Sequence, residues 1–146
     1  MDELQWSSPV ILRDWLMALL VRRGPLPPAK PGVYVVTLSG WTGSPSIEAG
    51  PLHVGGSGVL LERFMNLVPA LLGFYATDPW IGRHYGGRKV REYCRKKRKQ
   101  VGDLILSWAP TSLPCCWCVE RILIDSLTPL LVERVPTKCY CPEDIR

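Results

Sequence analysis

A phenol and an imidazole stand on two short runs that both read as β-strands. Tyr34 lies in Gly32-Val33-Tyr34-Val35-Val36-Thr37-Leu38-Ser39, and His53 lies in Pro51-Leu52-His53-Val54-Gly55. An imidazole with a pKa near about 6.5 accepts a proton at neutral pH, whereas a phenol near about 10 needs a neighbouring cation or a metal first. A hairpin with one ring on each strand brings the two together. Three further groups could join them. Arg63 and Glu120 each fall beside an apolar stripe on a helix, where spacing alone makes them ordinary surface charges. His84, in His84-Tyr85-Gly86-Gly87, directly precedes a block of cations.

That block holds Arg83, Arg88, Lys89, Arg91, Arg95, Lys96, Lys97, Arg98 and Lys99, half of the 18 Lys and Arg in the chain, opposed locally only by Glu92. Consecutive cations from Arg95 to Lys99 repel one another unless an anion neutralises them, and a concentrated block of this kind suits a phosphate backbone. The alternative is a solvated helix face. Six cysteines complete the inventory. Cys115 and Cys118 with Cys139 and Cys141 could form a four-thiolate zinc site, two pairs from separate segments. The alternative is small buried hydrophobes plus a tail.

The elements that must position these groups follow from pattern. Pro31-Gly32 opens a β-branched and aromatic run in which Tyr34, Val36 and Leu38 share one face and Val33, Val35 and Thr37 the other. A loop with Gly40, Gly43, Ser44, Pro45, Ser46 and Gly50 leads to the second strand, which Gly55-Gly56 is expected to stop. Gly55-Gly56-Ser57-Gly58 then leads into a helix from about Val59 to Leu72, with Leu60, Phe64, Leu67 and Leu71 on its apolar stripe and Arg63 off it. Ser57 and backbone donors of this glycine-rich turn are placed to approach a phosphate, without the spacing of a nucleotide-binding loop. Lys89 to Gln100 reads as a basic helix with Val90, Tyr93 and Cys94 inward. Asp103 to Ala109 reads as a third strand ended by Pro110. Pro114 opens a last helix to about Leu127, whose buried side is expected to carry Val119, Ile122, Leu123 and Ser126-Leu127. At the other end, Ser8 as N-cap and Pro9 as first helical residue are expected to open an N-terminal helix with a broad apolar face, closed by Gly24-Pro25.

The motifs resemble the GIY-YIG nuclease family. Its two signature strands correspond to Gly32-Val33-Tyr34 and His53-Val54-Gly55, its helical Arg to Arg63, and its later Glu, ahead of an apolar pair and a Pro, to Glu120 in Glu120 to Pro129. The resemblance covers roughly residues 30–132. It implies a small α/β domain of the α+β type, with a three-stranded, mainly antiparallel sheet flanked by helices. It also implies metal-dependent hydrolysis of phosphodiester bonds in nucleic acid, with DNA favoured over RNA as the substrate. In that reading Tyr34 and His53 are candidates for the base, Arg63 is a bidentate phosphate ligand, and Glu120 binds Mg²⁺ or Mn²⁺. Two departures stand out: His53 replaces the second motif tyrosine, and Val132 stands where many members have Asn. Many members also carry a His or Tyr one turn after the Arg, where this chain has Leu67, and His84 is the substitute. Ser57, Arg88, Lys89, Arg91, Arg95 and Lys96 are the expected nucleic-acid contacts.

At 146 residues with a net charge of +5, the chain has the length of one domain and a surface that favours polyanions. Residues 1–29 read as a helix and Pro-rich connector packed on the core, 30–132 as the nuclease-like domain, and 133–146 as a Cys-containing tail. No run reaches the roughly 18 to 20 apolar residues that span a bilayer, and Met1-Asp2-Glu3 lacks the basic head of a secretory signal. A cytoplasmic endonuclease is therefore expected, the alternative being an inactive nucleic-acid-binding module that relies on the basic helix 88–99, with or without a structural zinc. A membrane partner is not expected.

Overall fold

The computed structural model describes residues 4–78, 80–112 and 115–132. In chain order these form β1 (Val10–Ile11), α1 (Leu12–Leu20), β2 (Gly32–Thr37), β3 (Pro51–Ser57), α2 (Leu60–Leu72), α3 (Tyr85–Lys96), β4 (Ile105–Pro110) and α4 (Cys115–Leu127). The strands make one four-stranded antiparallel sheet in the order β1-β4-β2-β3.

The fourth strand is the first correction to the sequence expectation. Ser8 and Pro9 do not open a helix. Residues 7–12 run along the free edge of β4, with Val10 opposite Leu106 and Ile11 opposite Ile105, and the helix starts only at Leu12. The edge of β4 offers unpaired backbone groups, and the chain takes them: the Ser7 amide donates to the Trp108 carbonyl at 2.8 Å and the Leu12 amide to the Leu104 carbonyl at 2.8 Å. Pairing a sheet edge outweighs a locally favourable cap, because each buried backbone group left unpaired is costly.

β2 is the middle of the domain. All six of its residues are buried, and its alternating side chains feed two separate packing layers. Tyr34 and Val36 point to the side covered by α1, α2 and α3, where they join Leu12, Trp15, Leu60, Phe64, Leu67, Val90 and Trp108. Val33 and Val35 point to the other side, against Val119, Ile124 and Leu127 of α4. Covering a Val completely on either face contributes about 1.5 to 3 kcal/mol. On α4, Ile122 is 45% exposed, contrary to expectation, because the helix meets the sheet through Cys116, Val119, Ile124 and Leu127.

Two boundaries differ in ways that matter for the site. β3 does not stop at its glycines but continues through Gly55 and Gly56 to Ser57. The basic helix α3 begins at Tyr85, four residues before Lys89, and ends at Lys96. His84 is its N-cap, and the cap lets Gly86 and Gly87 enter the first turn. Among the described residues no helix is long and apolar enough to cross a membrane.

Candidate active site

Five residues from separate parts of the chain line one cleft of about 320 Å³: Tyr34 of β2, His53 of β3, Arg63 of α2, His84 ahead of α3 and Glu120 of α4. The cleft wraps round the outer edge of the sheet, which is β3. Register places Tyr34 opposite Gly55 and His53 opposite Val36, so the two rings are diagonal neighbours on one face, with centroids 5.6 Å apart.

The glycine pair in β3 explains how groups from both layers reach this edge. A Cβ at Gly55 would lie 2.3 Å from the Tyr34 hydroxyl oxygen, so the ring lies directly over that glycine. A Cβ at Gly56, on the opposite face, would lie 2.8 Å from Oε2 of Glu120. One glycine admits the phenol and the next admits the carboxylate. A third, Gly86, stands where a Cβ would come within 2.4 Å of Cε1 of His53. Beyond α4 the chain turns back along β3, where the Leu131 amide donates to the Leu52 carbonyl at 2.9 Å, and Leu131 and Val132 complete the wall of the cleft.

Hydrogen bonds tie the three rings in one direction. The Gly87 amide donates to Nδ1 of His84 at 2.9 Å, so the neutral His84 ring carries its proton on Nε2. That nitrogen is 2.6 Å from the Tyr34 oxygen and donates to it. The Tyr34 proton is then free to point at Nε2 of His53, 3.2 Å away. The main chain of Leu131 also bonds His53, a contact that favours its protonated form. The protons are assigned by this network, and the arrangement satisfies all three ring bonds with neutral rings.

Neutral rings are what the surroundings dictate. Burial, reinforced by the Arg63 charge, holds His53 down at about 4, against the opposing Leu131 bond. Burial, then the charges of His53 and Arg63, hold His84 down at about 3. Burial pushes the Tyr34 phenol above its ordinary value, and Glu120 adds to this while Arg63 opposes it. Tyr34 is a weak acid here, held between one ring that donates to it and one that accepts from it.

Glu120 is the carboxylate of the cleft lining. Mg²⁺ keeps several waters and takes substrate oxygens, so a single carboxylate in an open cleft fits a hydrated ion, and does not fit a metal that demands a full set of protein ligands. The expected zinc ligands Cys139 and Cys141, and the side chain of Cys115, lie outside the described residues; Cys118 is disulfide-bonded.

The expected nucleic-acid contacts divide. Ser57 is buried, and its hydroxyl is closed on Val59, donating to the carbonyl at 2.9 Å and accepting from the amide at 3.1 Å. Arg88 donates from Nε to the Gly82 carbonyl at 3.0 Å and lies over the Tyr75 ring. Arg91 donates to the Leu71 carbonyl at 3.1 Å, satisfying the end of α2. Both arginines tie α3 to its neighbours, a use that charge counting does not reveal. Lys89 is exposed in the first half of α3, and Arg95, Lys96 and the following cations to Lys99 are exposed at and just beyond its C-terminal end, where positive charge also complements the helix dipole.

Tyr85 is the cleft residue the sequence reading missed. Its signal was an aromatic side chain next to His84 and ahead of two glycines, in a segment already marked as the border of the basic block. Compared with protein-family models, with curated proteins and with solved structures, the chain finds no match. The site's own geometry carries its chemistry.

Proposed function

We propose that this chain is a metal-dependent endonuclease of the GIY-YIG type, hydrolysing phosphodiester bonds of nucleic acid, with DNA favoured over RNA. The observation that carries this reading is the convergence of Tyr34, His53, Arg63, His84 and Glu120 on one cleft from five separate segments. A phosphodiester needs a cation for its nonbridging oxygens and a proton acceptor for the attacking water, and the cleft offers both.

Arg63 orients the scissile phosphate through its planar pair of donors and offsets the charge that grows on the oxygens as water adds. A divalent ion held by Glu120 would supply further positive charge there and favour departure of the leaving oxygen. Water attacks phosphorus, and its proton passes to the Tyr34 oxygen as the Tyr34 proton passes to Nε2 of His53. The His84 Nε2–H bond holds the phenol oxygen and stabilises whatever negative charge it gains in the exchange. Burial makes His53 by itself a reluctant acceptor. A bound phosphate brings negative charge beside it, which favours the protonated ring. The bond from phosphorus to the leaving oxygen breaks, that oxygen takes a proton from solvent water in the open cleft, and the proton on His53 returns to solvent when product leaves, which closes the proton balance.

The test is a cleavage assay on labelled single-stranded, duplex and branched DNA and RNA with Mg²⁺, Mn²⁺ or chelator. Cutting with metal and none with chelator is expected; no cutting of any member under any metal overturns the proposal. The exposed run from Arg95 to Lys99, outside the cleft lining, favours one second reading, a binding module without catalysis. For that module, Glu120→Ala leaves salt-sensitive binding unchanged and no variant or parent cuts.

A further inference from the structure

We infer that Tyr85 is a stacking platform for the nucleobase next to the scissile phosphate, so that the cleft takes a strand whose bases are unpaired at that point. The inference rests on the nuclease reading and deepens it to a substrate class.

Tyr85 combines two properties. The residue is 67% exposed, and it nevertheless lines the same cleft as Arg63, His53 and Glu120. A large aromatic side chain left in water at the mouth of an otherwise converging site gains nothing for the fold, since no core cluster includes it.

Its root is fixed. Tyr85 is the first residue of α3 and follows His84, whose Nδ1 caps the helix through the Gly87 amide and whose Nε2 holds Tyr34. The neighbouring Gly86 and Gly87 carry no side chains that could cover the ring from their side. Lys89, one turn on, places Nζ 5.4 Å from the ring centroid. A cation over one face of the ring and an arginine lining the same cleft leave the geometry of a nucleotide: backbone charge to the cations, base to the other face of the ring.

The ring discriminates among strands by physics alone. In a continuous duplex both faces of each base are already stacked, so Tyr85 can engage a base only after unstacking it. In a single strand, at a flap or beside a mismatch, the base face is available without that cost. Binding through Tyr85 is accordingly tolerant of sequence and sensitive to pairing.

The experiment measures binding of a fluorescent oligothymidylate strand, the same strand with abasic sites, and the same strand in a duplex, without metal so that nothing is cut. Parent, Tyr85→Ala and Tyr85→Phe are compared. Stacking on one base contributes enough that Tyr85→Ala should weaken single-strand binding on the order of tenfold or more, with Tyr85→Phe close to parent. Binding to the abasic strand and to the duplex should change by less than about twofold. Equal single-strand affinity of parent and Tyr85→Ala, in a parent that binds, overturns the stacking role and leaves the nuclease reading standing. A uniform loss on all three probes also overturns it, because that pattern belongs to charge or folding. A parent that binds no probe fails the nuclease reading itself, and the stacking role falls with it.

Discussion

Nε2 of His84 lies 2.6 Å from the hydroxyl oxygen of Tyr34, across 50 residues of sequence, and donates to it because the other imidazole nitrogen is occupied by the Gly87 amide. One histidine thus caps a helix with one side of its ring and holds the candidate base with the other. Helix position and phenol position are coupled through that ring.

His84→Asn separates the two tasks. Asn is a good N-cap and keeps a bond to the Gly87 amide, while Ala does not and should cost about 0.5 to 2 kcal/mol in stability. Neither variant can donate to Tyr34 from the Nε2 position. In a thermal melt Asn should resemble the parent and Ala should not, yet both should lose cleavage rate by about tenfold or more. Parental activity in His84→Asn would confine His84 to capping.

Tyr34→Phe removes one oxygen and leaves the ring on Gly55. The phenol is the hinge of the proton exchange, so cutting should fall by about 10² to 10⁴, the usual contribution of a positioned acid or base, with metal-free binding unchanged. Single-turnover rates and a binding titration on one substrate separate these effects.

Adding a methyl group at either β3 glycine tests the two-sided approach to the sheet edge. Gly55→Ala must push the Tyr34 ring aside, where its Cβ would sit 2.3 Å from the hydroxyl oxygen, and should destabilise by about 1 to 3 kcal/mol. Gly56→Ala meets the carboxylate of Glu120, whose closest atom would be 2.8 Å away, and also the Cys116 carbonyl at 3.1 Å. Its expected signature is a raised metal requirement for cleavage. Metal titrations of both variants distinguish the outcomes.

The two histidines make stability depend on pH. Both have folded values below the ordinary 6.5, His53 at about 4 and His84 at about 3. Below pH 6.5 the unfolded chain therefore binds protons that the folded chain refuses, and stability is lost as pH falls through that window toward 4. The slope is on the order of 1.4 kcal/mol per pH unit for each histidine. Above 6.5 neither ring contributes. Denaturation midpoints between pH 7.5 and 4.5 should fall accordingly, and His84→Asn should flatten the slope. A flat profile in the parent would mean that the rings charge without penalty.

Much of this arrangement was legible in local pattern. Alternation on β2 separates Tyr34 from Val33 and Val35, and the spacing of Leu60, Phe64, Leu67 and Leu71 leaves Arg63 off the buried stripe of α2. What local pattern lacked was long range. β1 exists because β4 has an edge to pair, which nothing near Ser8 and Pro9 encodes. Gly55 and Gly56 look like a stop signal, and their actual use depends on a ring and a carboxylate that arrive from elsewhere. Arg88 and Arg91 count as free charge until a carbonyl of a neighbouring segment is found against each. Ile122 falls on the exposed side of α4 because the helix meets the sheet through Cys116, Val119, Ile124 and Leu127, a choice set by the sheet and not by the helix's own pattern.

Glu120→Ala against the parent, on a substrate the parent cuts with Mg²⁺, is the most direct measurement. Loss of Mg²⁺-dependent cleavage by about a hundredfold or more, with metal-free binding retained, is the predicted result. Cleavage by Glu120→Ala at the parent rate and with the parent's metal requirement would contradict the account, because the cleft would then be working without its carboxylate.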